Sequence, residues 1–163
     1  MREFELLIEA WRARYANRAE GGIRAIRGFR YQYLVGLQRA VAVWLKNPAC
    51  EPLFSVEALS DIVIGTPGAH IEIAQAKRTG TNRSARHGLD ELWTIHRLAA
   101  EVAPGVAVRL AYRLLVARTQ IASASTIVNT FAPAGASAEE LADFRSRARI
   151  EVTGDPFDPR PDG

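Results

Sequence analysis

The apolar pattern of this chain changes period near residue 48, and that change limits its fold more than any other feature. Before it, apolar residues recur at helical spacing; after it they form short β-branched runs separated by turn residues. FSVEA (54–58), DIVIGT (61–66) and HIEIAQAK (70–77) read as successive strands, the last two joined at Pro67-Gly68. Connections this short cannot make a parallel crossover, so neighbouring runs pair antiparallel. In such a hairpin the start of one strand lies beside the end of the next. Asp61 therefore falls near Gln75 and Lys77, which are two residues apart and leave the same face of their strand.

Two helices precede the hairpin. Residues 2–19 carry Phe4, Leu7, Ile8, Trp11 and Tyr15 on one stripe and end at Glu20-Gly21-Gly22. The second runs from about Gly28 to Lys46, with Phe29, Tyr33, Leu37, Val41 and Trp44 as its apolar face, and stops at Asn47-Pro48. Trp11 and Trp44 read as packing residues. After Lys77 the segment RTGTNRSARHG (78–88) reads as a flexible polar loop, followed by a helix over about Leu89–Val102 with His96 on its less polar side. Pro104-Gly105 breaks that helix. VAVRLAYRLLVAR (106–118) is apolar on both faces and reads as a central strand. A helix over Thr119–Phe131 is weakly signalled, and one over Ala138–Arg147 more clearly, with Ser137 as N-cap and Glu140 at its third position. RIEVT (149–153) reads as a last strand. The expected architecture is an α/β sandwich with a central mixed sheet and a right-handed crossover between its third and fourth strands. It divides into an N-terminal amphipathic helix (1–22), a main domain (23–153) and a proline-rich tail or linker (154–163).

A single cysteine, Cys50, rules out an intramolecular disulfide, and no apolar run reaches the roughly 20 residues of a membrane helix. A cytoplasmic protein is the default reading. The net charge of +3 conceals a pattern: residues 1–50 sum to +5, 51–76 to −4, 77–118 to +5 and 119–163 to −3. An acidic island between basic stretches suits a site that holds a cation while gripping a polyanion.

A carboxylate, an amide oxygen and an ammonium converging on otherwise apolar strands call for a reason, since an unpaired buried charge is costly. Phosphodiester hydrolysis supplies one. Asp61 and Gln75 would offer oxygen ligands to Mg²⁺ or Mn²⁺, and Lys77 would hydrogen-bond the attacking water and offset charge on phosphate. Glu57, four residues before Asp61, would add a second carboxylate to the metal; a plain strand carboxylate is the other reading. A structural Asp61–Lys77 ion pair is the alternative to the catalytic one. Gln32, between Gly28 and Gly36 on one helical face, would reach the sheet end or else bridge backbone groups. Arg27 and Arg30 on that helix, and Arg78, Arg83 and Arg86 after Lys77, would hold DNA phosphates without reading bases.

Asp61, the Gln75-x-Lys77 pair and the upstream RGFRYQ (27–32) resemble the D…(E/Q)xK core of PD-(D/E)xK nucleases. They resemble in particular the Mrr-like QxK branch, which includes double-stranded DNA endonuclease domains of bacterial anti-phage effectors associated with cyclic-oligonucleotide signalling. In that branch a glycine, an aromatic and a Tyr-Gln pair open the first core helix, ahead of an E…D strand pair and a QxK strand. Gly28, Tyr31-Gln32, Glu57, Asp61 and Gln75-x-Lys77 occur here in that order, over about residues 24–118. Gln75 stands where a glutamate is more usual in the superfamily, which removes one negative charge from the metal site. The resemblance implies a restriction-endonuclease-like fold and Mg²⁺- or Mn²⁺-dependent cleavage of double-stranded DNA. It also implies an effector role beside downstream sensor or ATPase domains, with homo-oligomerisation, in a defence protein. The alternative is a nuclease-fold domain of little activity that serves as a nucleic-acid-binding or oligomerisation module.

Overall fold

A computed structural model describes residues 2–14, 26–46, 48–49, 53–56, 58–66, 69–119, 121 and 123–154. Helices α1 (Arg2–Arg14) and α2 (Ile26–Lys46) lead into strands β1 (Leu53–Val56), β2 (Ile62–Gly65) and β3 (Ile71–Gly80). Helix α3 (Asn82–Val102) and the short α4 (Pro104–Ala107) precede β4 (Leu110–Thr119). Helices α5 (Ala124–Thr130) and α6 (Ala138–Arg147) and strand β5 (Ala148–Val152) complete the described elements. The five strands form one mixed sheet in the order β1-β2-β3-β4-β5, antiparallel through β3 and parallel from β3 to β5. Among the described residues no helix is long and apolar enough to cross a membrane.

Strand alternation sorts side chains to two faces. Val63, Ile71, Ile73, Leu110, Tyr112 and Leu114 point to a larger core closed by α1, α3, α5 and α6, with Leu7 of α1 fully enclosed. Ile62, Ile64, Ala74, Ala76, Leu115 and Ala117 point to a smaller core beneath α2. On that second face Arg39 of α2 clasps Glu72 of β3 through two contacts of 2.6 and 2.9 Å and reaches Glu151 of β5 at 2.9 Å. Arg113 of β4 completes the alternating set at 2.9 Å from Glu151. The helix is thus tied to β3 and β5, and Arg113 of β4 balances the second of the two acids' charges.

The buried face of α2 is not the one its apolar spacing suggested. Tyr31, Val35 and Ala40 are enclosed, whereas Tyr33, Leu37, Val41 and Trp44 are exposed by 43–48%. Trp44 is therefore a surface residue rather than a packing one. The reason is steric: at Gly36 an added Cβ would lie 3.2 Å from Phe54 and 3.3 Å from Ile62. Gly36 lets the helix come this close to the sheet at one point, and the stripe of Tyr33, Leu37, Val41 and Trp44 is turned outward.

The segment 78–88 is also not a loop. Strand β3 continues to Gly80 and α3 begins at Asn82, because Thr81 and Ser84 form a reciprocal cap. The Thr81 hydroxyl accepts the Ser84 N–H at 3.1 Å, and the Ser84 hydroxyl accepts the Thr81 N–H at 2.8 Å. Polarity in this stretch belongs to the solvent side of a helix. We expect Thr81→Ala to lower the unfolding free energy by about 1 kcal/mol, as read from urea denaturation, since it orphans N-terminal amides. Other boundaries shift less. The long apolar run is an interior strand that starts at Leu110, after the helical turn of α4, and the Thr119–Phe131 helix is confined to Ala124–Thr130 with Ser123 as its cap.

Candidate functional site

The β2–β3 register pairs Gly65 with Ile71 and Ile62 with Ala74; one further step sets Asp61 opposite Gln75. The Asp61 carboxylate is held there by the Ala76 N–H, which donates to Oδ2 at 2.7 Å, and by a hydrogen bond from the Gln32 side chain. Gln32 comes from α2, on the other layer, so the first core helix reaches the sheet end at this point. Gln75 is buried, and its Oε1 accepts the Ser60 hydroxyl at 2.6 Å. Burial raises the Asp61 pKa from 3.8 to about 6; the Ala76 N–H, Lys77 and Gln32 pull it down, and the nearby charge of Glu91 pushes it further up. Asp61 is a carboxylate with less positive compensation than its burial demands.

Alternation along β3 turns Gln75 and Lys77 toward α3. There Lys77 Nζ lies 3.5 Å from Oε2 of Glu91. The other Glu91 oxygen lies 3.4 Å from Nε2 of His87, one helical turn back. Sequence reasoning singled out neither Glu91 nor Ser60. The signal for Glu91 was the Thr-x-x-Ser cap: once α3 starts at Asn82, Arg83, His87 and Glu91 follow at four-residue spacing on one stripe.

The remaining expected residues are placed less closely. Arg83 and Arg86 are exposed on the first turns of α3, and an Arg86 guanidinium N–H donates to Thr130 Oγ1 at 3.4 Å. Arg27 and Arg30 lie on α2 and Arg78 on β3, with their side chains outside the described residues. Glu57 also lies outside them.

Hard divalent cations take oxygen ligands, and the donors here, the Asp61 carboxylate and the Gln75 amide oxygen, are of that kind. Among the described residues no three Asp, Glu, His or Cys side chains are grouped to hold a metal. A cation here would rely on fewer acids, with the amide as a further ligand. His96, a buried ionisable side chain, belongs to the core: its Nδ1 lies 3.3 Å from the Tyr112 hydroxyl, and burial lowers its pKa. Comparison with protein-family models, with curated proteins and with solved structures finds no match, so any reading of this site must rest on its geometry and chemistry.

Proposed function

We propose that this is a metal-dependent endonuclease domain of the PD-(D/E)xK type, with a restriction-endonuclease-like sandwich, hydrolysing double-stranded DNA with little sequence preference. The observation that carries the reading is the meeting of Asp61, Gln75, Lys77 and Gln32 at one end of the sheet, with Asp61 half-buried and under-compensated. Asp61 and Gln75 would hold Mg²⁺ or Mn²⁺, which when bound acts as a Lewis acid toward the scissile phosphate. The Ala76 N–H and Gln32 orient the Asp61 carboxylate. Lys77 hydrogen-bonds the attacking water and meets the negative charge that gathers on the phosphoryl oxygens. Water adds to phosphorus and gives up a proton to solvent as the bond to the departing sugar oxygen breaks, and that oxygen takes up a proton from solvent in turn. Arg83 and Arg86, exposed on the first turns of α3, would offer positive charge to backbone phosphates, contacts that carry no sequence information.

Supercoiled plasmid incubated with the protein and Mg²⁺ or Mn²⁺ tests this directly. Nicked and linear forms are expected, together with their loss on adding EDTA. Lys77→Ala should cut about 10²-fold more slowly, the usual cost of removing one group that stabilises transition-state charge. Equal nicking by both proteins would sink the assignment. Retardation of DNA with no cutting by either protein would favour a binding module that keeps the fold without the chemistry.

A further inference from the structure

Among the described residues a single buried side-chain oxygen lacks a hydrogen bond, and it is Oε2 of Glu91. We propose that Glu91 supplies the second carboxylate of the divalent-cation site, with Asp61 and the Gln75 amide oxygen. It would restore the negative charge that a glutamine at position 75 forgoes. This inference rests on the nuclease reading and names the residue that completes its metal shell.

Position is the first support. Glu91 reaches the site from α3, on the face to which Gln75 and Lys77 turn, and it lies close enough to Asp61 for their charges to repel. Its side chain is only 25% exposed, so solvent cannot fully satisfy it. A carboxylate oxygen left without a hydrogen bond at such a depth costs free energy that a ligand would recover.

The ion pair with Lys77 does not account for it. A charge-assisted N–H···O bond closes to about 2.7–2.9 Å, whereas Lys77 Nζ stands off at 3.5 Å without forming a hydrogen bond to Oε2. Lys77 also acts electrostatically on Asp61, so one ammonium is shared between two carboxylates. Asp61, Glu91 and Lys77 together leave one negative charge, which a divalent cation turns into one positive charge facing a phosphodiester. His87, at 3.4 Å from Oε1, leaves Oε2 untouched.

The test is Mn²⁺ binding by the metal-free protein without DNA, followed through the loss of the free Mn²⁺ resonance signal. Glu91→Gln keeps the shape of the side chain and removes its charge, and it should weaken Mn²⁺ about 10–100-fold. Glu101→Gln, whose side chain is 59% exposed and pairs with Arg14 on the surface, should bind as the wild type does. Lys77→Met removes the competing ammonium and should tighten Mn²⁺. Far-UV circular dichroism checks that each variant is folded. Wild-type affinity in both Glu91→Gln and Lys77→Met overturns the role of Glu91 while leaving Asp61-dependent chemistry standing. A wild-type protein that takes up no Mn²⁺ at millimolar concentration overturns the metal-dependent reading itself, and this inference with it.

Discussion

Asp61→Asn is expected to slow DNA cleavage by about 10³-fold and, in the same protein stripped of cations, to make the fold more stable. The two effects share one cause. Burial disfavours the Asp61 anion more than Ala76, Lys77 and Gln32 favour it, which is why its pKa rises from 3.8 to about 6. A neutral amide of the same shape escapes that penalty and can still accept the Ala76 N–H. The gain should be on the order of 1–3 kcal/mol at pH 8, following the free-energy equivalent of such a displacement. Its pH dependence has a definite sign. The folded carboxyl holds its proton more tightly than the unfolded one, so its contribution is full below pH 3.8 and is lost as pH rises through about 6. Urea denaturation in EDTA should therefore show wild type and Asp61→Asn matching near pH 4, separating between pH 4 and about 6, and staying apart by a constant amount above it. A variant no more stable than wild type at pH 8 would mean that Asp61 is fully compensated by its neighbours. The case for a charge held ready for a cation would then fail.

Phe144→Ala is expected to cost about 3–5 kcal/mol, the range for emptying a fully buried aromatic site. Phe144 has no exposed surface, and its ring centroid lies 5.4 Å from Trp93, 5.4 Å from His96, 5.2 Å from Tyr112 and 5.6 Å from Phe131. These rings come from α3, β4, α6 and the end of α5, so the loss is felt by every layer on that side of the sheet. Edge-to-face and tilted pairs add to the area term by about 0.5–1.5 kcal/mol each, and the cavity cannot collapse without moving α6 off β4. A melting temperature lower by roughly 6–20 °C is the calorimetric counterpart for a chain of this length. Val152→Ala, at a position 60% exposed, should change stability by less than about 0.5 kcal/mol. Comparable losses in the two variants would contradict the placement of Phe144 at the centre of this core.

The hairpin was legible because strand alternation and the Pro67-Gly68 turn signal are local properties of the sequence. Given an antiparallel pairing about that turn, Asp61 has to approach Gln75, and the approach needs no knowledge of the rest of the molecule. The α2 face was misread for the opposite reason. Its stripe of Tyr33, Leu37, Val41 and Trp44 and its stripe of Tyr31, Val35 and Gly36 are both periodic, and the choice between them lies with the sheet, which admits Gly36 close to Phe54 and Ile62. The start of α3 was missed because Thr81 and Ser84 look like loop residues until their side chains are seen to satisfy each other's backbone amides.

What the sequence determined alone, then, is the order of elements and the pairing at the turn, since both follow from periodicity and connection length. The tertiary structure decided which helix faces are buried, the Arg39–Glu72–Arg113–Glu151 set that seats α2, and the arrival of Glu91 beside Lys77. Each of these depends on distances between residues far apart in the chain, and such distances are set by how layers pack, not by spacing along one strand or helix.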